Sequence, residues 1–182
     1  YVLDRKTGQE LAHYSRDDKE FSSVSNFIFD IFKDSQGDLW IGGINGKFTC
    51  YLSKEDKFKT YTELPISSFA ELSPNQILLG CSNTLMLLNK QTGDIKNFLS
   101  DYVVQDILVL GDVVWVATSG EGLVEYRYKE GTIKKYTTQE GLPSNFINSI
   151  IYADNCLWIG TESGLCRFNP IDKTAFIFTS IY

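Results

Sequence analysis

Two glutamates are the residues of this 182-residue sequence that come closest to a catalytic pair. Glu121 and Glu162 follow similar apolar runs, and glycosidic-bond hydrolysis requires two carboxylates about 5 to 10 Å apart. Equivalent places in two similar segments do not establish that distance. His13 is the single histidine, so a histidine base acting with a metal ion is not favoured either. The sequence predicts that this segment is not an enzyme.

Metal and cofactor motifs are also lacking. One histidine excludes a two-histidine metal site, and the four cysteines contain no Cys-x-x-Cys pair. The run Asp34–Asp38 has a faint likeness to a calcium loop, but it lacks the spacing and the distant glutamate of an EF-hand, and we interpret it as a turn. Gly120-Glu-Gly122 lacks the third glycine of a dinucleotide fingerprint. We predict no cofactor and no metal.

The cysteines leave the redox compartment open. Their irregular spacing favours free, buried thiols over two disulfides. They are Cys50, Cys81, Cys156 and Cys166.

Composition and charge narrow the class of protein further. Hydrophobic residues make up 43% of the chain, and 17 basic against 23 acidic residues give a net charge of −6. An acidic chain without a Lys/Arg cluster argues against a nucleic-acid partner. No apolar run approaches the ~18 to 20 residues of a membrane span. The sequence begins at Tyr1 without an initiator methionine, which indicates a piece of a longer protein.

A repeat organises the chain. Four similar units can be aligned on Trp40, Leu78, Trp115 and Trp158, with spacings of 38, 37 and 43 residues. These spacings are close to the ~40 to 45 residues of a four-stranded propeller blade. Turn residues such as Asp154-Asn155, together with glycines in the hairpin between the second and third strands, divide each unit into short strands.

The predicted fold is therefore all-β. It is a β-propeller fragment of about four and a half four-stranded antiparallel blades, and the ring is incomplete because no unpaired strands remain at the C-terminus to complete the first half-blade. The predicted units are the last two strands of a blade at 1–15 and whole blades at 25–61, 66–98, 102–136 and 145–179.

The last unit carries a family resemblance. Glu140-Gly-Leu-Pro-Ser-Asn145, Leu157-Trp-Ile-Gly-Thr161 and Gly164-Leu165 closely resemble the two-component regulator propeller repeat. Leu39-Trp-Ile-Gly42 repeats the motif well. Trp115-Val-Ala-Thr118 is a looser copy, and the unit around Leu78 has lost the tryptophan.

This resemblance implies a function for the parent protein. Such repeats occur in the extracytoplasmic sensor of hybrid two-component systems, which are histidine kinases of the inner membrane, and many of these control glycan-utilisation genes. It implies a periplasmic sensor segment with an oligosaccharide ligand and a homodimeric parent, joined to the membrane only through flanking sequence. The alternative is a non-catalytic propeller scaffold that holds other proteins.

The aromatic residues invite a carbohydrate-stacking role, but we interpret them as structural. Trp40, Trp115 and Trp158 share one strand position, where a large side chain packs between neighbouring blades. The aromatic content fits sheets with both faces buried, and we expect this of Phe27, Phe29, Phe146 and Phe168.

Ligands of propellers tend to meet the loops at one rim, so we place candidate ligand-binding residues there. Asn, Asp and Glu supply the donors and acceptors that sugar hydroxyls need. The candidates on the hairpins between second and third strands are Asn45, Asn83, Glu121 and Glu162. Those on the connections between blades are Asp17, Asp18, Asp101 and Glu140.

Overall fold

The computed structural model describes residues 1–13, 27–43 and 47–178 and contains one two-stranded and four four-stranded sheets. We call the four larger sheets blades 1 to 4. The short hairpin pairs β1 (Val2–Leu3) with β2 (Glu10–Ala12).

Blade 1 holds β3 (Ile28–Lys33), β4 (Leu39–Gly43), β5 (Lys47–Leu52) and β6 (Lys57–Glu63). Blade 2 holds β7 (Ser68–Ser73), β8 (Gln76–Gly80), β9 (Thr84–Asn89) and β10 (Ile95–Ser100). Blade 3 holds β11 (Val104–Leu110), β12 (Val113–Thr118), β13 (Leu123–Arg127) and β14 (Thr132–Tyr136). Blade 4 holds β15 (Ile147–Ala153), β16 (Cys156–Thr161), β17 (Gly164–Phe168) and β18 (Ala175–Phe178).

Each blade is an antiparallel meander in which strands pair in chain order. Asp154 and Asn155 form the two-residue turn between β15 and β16, with φ of 52° and 59°, the left-handed values that such a hairpin turn requires. The helical content of the described residues is one 3-10 turn, Thr138–Glu140. The predicted all-β propeller fragment is confirmed.

The first strands of successive blades lie side by side. β3 contacts β7, β7 contacts β11, and β11 contacts β15. Two carboxylates join these inner strands: Asp30 accepts the amide hydrogen of Phe69 at 2.7 Å, and Asp106 accepts that of Ile150 at 2.8 Å. Burial raises the pKa of both carboxyl groups. Blades 2 and 4 therefore each present a main-chain donor to a carboxylate of the blade before them.

The hydrophobic core is divided among the junctions between blades. One cluster lies between blades 1 and 2, a second between blades 2 and 3, and a third between blades 3 and 4. Trp40 and Trp115 are 0% and 2% exposed within the first and third junctions, which confirms their structural interpretation. Leu78 takes the same position in the second junction and is fully buried.

The glycine that ends the Trp-Ile-Gly motif allows the next blade to approach. A Cβ atom on Gly42 would lie 2.7 Å from Cβ of Ile66, and one on Gly80 would lie 2.7 Å from Cγ1 of Val104. Both distances are too short for real carbon atoms. Glycine at this position therefore permits the close approach at the first two junctions, whereas blade 3 has the buried Ala117 at the equivalent position.

Four cysteines are free, as the spacing predicted. Cys50, Cys81 and Cys166 are buried, whereas Cys156 is half-buried. Burial raises the pKa of Cys50 to about 12 and that of Cys81 to about 11, so these thiols stay protonated at neutral pH.

The expectation for four phenylalanines is correct at one position. Phe168 is fully buried, but Phe27, Phe29 and Phe146 are 64%, 59% and 45% exposed. Phe29 belongs to the inner edge of blade 1, where no preceding four-stranded sheet lies among the described residues. The presence of a phenylalanine in the sequence did not indicate whether another blade covers that position.

Blade 4 leaves the equivalent of a junction face exposed. Trp158 is only half-buried and stacks on Phe178 with ring centroids 5.5 Å apart, while Phe176 is 55% exposed. We call Ile151, Trp158, Phe176 and Phe178 the blade 4 end face.

We predict that Gly42→Ala lowers the free energy of unfolding by about 1 to 3 kcal/mol, because the added methyl group would lie 2.7 to 2.8 Å from side-chain carbons of Ile66 and Phe69, which are packed in the junction. Gly160→Ala is the matched control, since its Cβ would meet only the hydroxyl oxygen of Ser149, which can rotate away. Urea unfolding of both variants measures the difference. Equal losses in the two variants would contradict the role assigned to the junction.

A second prediction concerns the blade 4 end face. Exposed apolar patches promote association, so Phe176→Ser combined with Phe178→Ser should reduce self-association of the chain. Sedimentation velocity over a range of protein concentrations measures it. Phe58→Ser on blade 1 is the comparison variant, and an unchanged sedimentation profile in the double variant would contradict the prediction.

Candidate functional site

The predicted rim residues lie on one edge of successive blades. Asn83, Glu121 and Glu162 are exposed and occupy the hairpins between the second and third strands of blades 2, 3 and 4. Asn45, Asp17 and Asp18 lie outside the described residues. Among the described residues, the rim is therefore formed by equivalent hairpins of blades 2, 3 and 4.

The two glutamates differ in their surroundings. Glu121 forms an ion pair with Lys135 at 2.7 Å, and its main-chain amide donates to the hydroxyl of Thr118. Glu162 makes no side-chain hydrogen bond with the described residues. No hydrogen bond or ion pair between the described residues joins the two glutamates.

Glu140 has a local structural role that the sequence analysis did not assign. Its carboxylate accepts the main-chain amide and the hydroxyl of Thr137, each at 2.8 Å, and caps the 3-10 turn. These hydrogen bonds lower its pKa. Asp101 has a φ of 70°, which places it in the left-handed region at a bend between blades 2 and 3. Both residues shape their connections.

A cavity of about 360 Å³ opens near Asn83, among the inner strands of blades 1 to 3. Its lining is largely apolar, with polar groups from Ser67, Ser82 and Gln105. Ser67 already donates to the carbonyl oxygen of Val104 at 2.6 Å. The cavity thus offers space at the rim with a few polar groups at its edge.

The opposite edge of the blades holds a buried carboxylate that the sequence analysis interpreted only as a turn. Asp34 accepts the amide hydrogens of Gln36 and Asp38 at 3.0 Å, which confirms the turn. Its second oxygen accepts the indole N–H of Trp40 at 2.9 Å and a hydrogen bond from Lys90 of blade 2. Burial would raise the pKa of Asp34, but the hydrogen bonds from Lys90 and Trp40 outweigh it, and the pKa is lowered.

The junction between blades 3 and 4 contains a similar arrangement. Glu125 is buried and accepts hydrogen bonds from Lys173 and from the hydroxyl of Tyr136, both at 2.7 Å. Lys173 lies 5.0 Å from the ring centroid of Trp115. Burial opposes ionisation of Glu125, yet the bonds from Lys173 and Tyr136 leave its pKa below the ordinary value. We call Asp34–Lys90 and Glu125–Lys173 the two junction clasps.

Neither clasp provides a metal site. The described residues contain no group of three or more His, Cys, Asp or Glu side chains able to hold a metal ion. Within the same residues, no helix has the length and apolar character needed to cross a membrane.

The fold defines a β-propeller repeat protein, because four meander blades pack side by side through their first strands. Two segments, residues 22–45 and 141–163, match the family model described as "Two component regulator propeller". The resemblance predicted from Leu39-Trp-Ile-Gly42 and Leu157-Trp-Ile-Gly160 is confirmed in these segments. A comparison with curated proteins gives no match.

Solved structures with the same fold include two extracellular domains of hybrid two component systems of B. thetaiotaomicron. That of BT4673 is 24% identical with a TM-score of 0.72, over 88% of this chain and 22% of the other. That of BT3049 is 19% identical with a TM-score of 0.71, over 86% of this chain and 25% of the other. The chain therefore spans about a quarter of the length of either structure.

A third similar structure is PorZ, a surface component of the type-IX secretion system of Porphyromonas gingivalis. It is 17% identical with a TM-score of 0.52, over 90% of this chain and 35% of the other. The same fold thus serves different assemblies, and function has to be argued from sites.

We predict that Lys173→Met lowers the free energy of unfolding at pH 7 by about 1.5 to 3 kcal/mol, because it removes the more buried of the two cations that pair with Glu125. The other cation, Arg127, stays in place 2.8 Å from the carboxylate. The folded-state pKa of Glu125 is depressed, so the clasp stabilises the fold above the unfolded-state pKa. That contribution is lost as the pH falls through the lower, folded-state pKa. Urea unfolding at pH 7 and at ~pH 2 measures this. The variant and the parent chain should differ less in free energy of unfolding at the lower pH.

The matched control for this prediction is Lys129→Met. Lys129 pairs with Asp112 at 2.6 Å, but both side chains are more than half exposed, so solvent screens the pair. The same loss of stability in both lysine variants, or a loss independent of pH, would contradict the prediction.

Proposed function

We propose that this chain is a non-catalytic part of the extracytoplasmic sensor of a hybrid two-component system. The observation that carries the proposal is the match of two segments to the two component regulator propeller repeat. The extracellular domains of BT4673 and BT3049, which have the same fold, support it. The parent protein would be a periplasmic sensor and histidine kinase of the inner membrane that acts as a homodimer.

The proposed ligand is an oligosaccharide, and the proposed response is control of glycan-utilisation genes through the kinase. Within the described residues, Asn83 and Glu162 keep their polar side-chain atoms free of hydrogen bonds and face solvent at the rim. Glu121 would have to exchange its ion pair with Lys135 for a ligand hydroxyl. We assign ligand contacts to Asn45, Asn83, Glu121 and Glu162.

A propeller scaffold for protein partners is the second candidate. PorZ, a surface component of a secretion system, favours it, because its similar structure indicates that this fold is not confined to sensors. The two candidates differ in whether a small ligand stabilises the folded chain.

Thermal unfolding against a panel of neutral, acidic and sulfated oligosaccharides separates them. A ligand that binds only the folded state, at ~100 times its dissociation constant, adds about 2.7 kcal/mol of stability. We expect one class of oligosaccharide to raise the melting temperature, and Asn83→Ala or Glu162→Ala to reduce that increase. Lys129→Met, an exposed position on the opposite edge, is the control. A panel without any shift would favour the scaffold.

A further inference from the structure

We propose that a second ligand site, separate from the rim, lies between blades 1 and 2 and takes a short neutral saccharide. The site is a cavity of about 330 Å³ at the edge that carries the Asp34–Lys90 clasp. We call it the blade 1/2 groove. That the ligand is a saccharide rests on the proposed function. The location of the groove and its preference for a neutral ligand follow from the contacts described next.

Aromatic groups form the floor of the groove. Tyr61 is half-buried, with one face of its ring packed on Phe48 at a centroid distance of 5.0 Å and Nζ of the exposed Lys59 side chain 4.9 Å from the ring centroid. Trp40 lies 5.5 Å from Tyr61, is fully buried and is held by its bond to Asp34, so it supports Tyr61, which is the ring that a sugar would contact in place of Lys59. Burial raises the pKa of Tyr61 to about 12, so its hydroxyl remains a donor at any physiological pH. Rings with a polar tip suit the apolar face and the hydroxyls of a sugar.

The base of the groove is fixed by hydrogen bonds. Lys90 donates to the side-chain oxygen of Gln36 at 3.1 Å as well as to Asp34. The side-chain amide nitrogen of Gln36 donates in turn to the carbonyl oxygen of Pro74 at 3.0 Å. These bonds join the turns of both blades. A binding surface held in place before the ligand arrives loses less conformational entropy on binding.

Unused polar groups line the upper part of the groove. Asn75 and Gln91 are exposed, and their side-chain amides make no hydrogen bond with the described residues. Each amide offers two donors and an acceptor, the combination that pairs of sugar hydroxyls require. The main-chain groups of both residues are already engaged, since the amide of Lys90 donates to the carbonyl oxygen of Asn75 and that of Gln91 donates to Asn89. Their side chains are therefore dispensable for the turns.

Charge favours a neutral ligand. The lining contains the cations Lys54, Lys59 and Lys90 and the anions Asp38 and Glu55, and Asp34 lies directly beneath them. Three positive and three negative groups leave no net charge to attract phosphate, sulfate or a uronic acid. The volume of about 330 Å³ lies near the lower end of the ~300 to 1,000 Å³ of ligand pockets, which favours about one or two sugar rings.

The chain contains an internal comparison for this groove. The corresponding cavity between blades 3 and 4 measures about 260 Å³ and is built on the other clasp. There, Gly111 and Pro170 line the cavity, and no asparagine or glutamine does. The aromatic ring and the lysine clasp thus recur as parts of the junction, whereas the amides are specific to blades 1 and 2.

Nuclear magnetic resonance of the 182-residue chain with added cellobiose, maltose or lactose tests the proposal. We expect at least one of these neutral disaccharides to shift the side-chain amide signals of Asn75 and Gln91 in a saturable way, and glucuronic acid to bind more weakly. Gln91→Ala and Asn75→Ala should each weaken binding about 5- to 10-fold. Asn155→Ala and the rim variant Asn83→Ala are the controls and should leave this affinity unchanged.

The groove proposal can be contradicted without contradicting the proposed ligand site at the rim. If no disaccharide shifts the two amide signals, or if binding depends on Asn83 and not on Gln91, the groove is not the site, while stabilisation by a longer oligosaccharide would still support the rim. Stronger binding of glucuronic acid than of any neutral disaccharide would overturn the charge argument.

Discussion

Burial of one sheet against the next is the constraint on which this structure depends. A four-stranded sheet has two faces, and here the apolar residues of both faces find partners only at the junctions between blades. Trp40, Leu78 and Trp115 fill those junctions, and Gly42 and Gly80 permit the close approach. On blade 4, which has no further blade packed on it among the described residues, the same face is exposed, as at Phe176.

This constraint separates repeated residues from residues that can recognise a ligand. Positions that recur from blade to blade serve packing or hairpin turns, and the two clasps join blade 1 to blade 2 and blade 3 to blade 4. Recognition is left to side chains at the edges, which differ between blades: Asn83 and Glu162 at the rim, and Asn75 and Gln91 in the blade 1/2 groove. The Asp34–Lys90 clasp contributes to packing and to the proposed recognition, because Lys90 joins blades 1 and 2 and also forms the base of the groove.

The period of about 40 residues was sufficient to predict the all-β propeller fragment and the structural role of Trp40 and Trp115. It could not predict which apolar residues lie on an uncovered blade, so Phe27, Phe29 and Phe146 were wrongly expected to be buried. The clasps were also missed. Lys90 and Lys173 reach carboxylates 56 and 48 residues earlier, and they occupy different places in turns of dissimilar sequence. Such contacts leave no local pattern.

Native-state hydrogen exchange in low concentrations of urea tests most directly whether junction burial makes the four blades one cooperative unit. The account predicts that amides of β8 and β12, which lie between covered junctions, exchange only through global unfolding. Amides of β17 and β18, beside the exposed end face of blade 4, should exchange earlier. Four blades that lose protection independently, each with its own free energy of opening, would contradict the account.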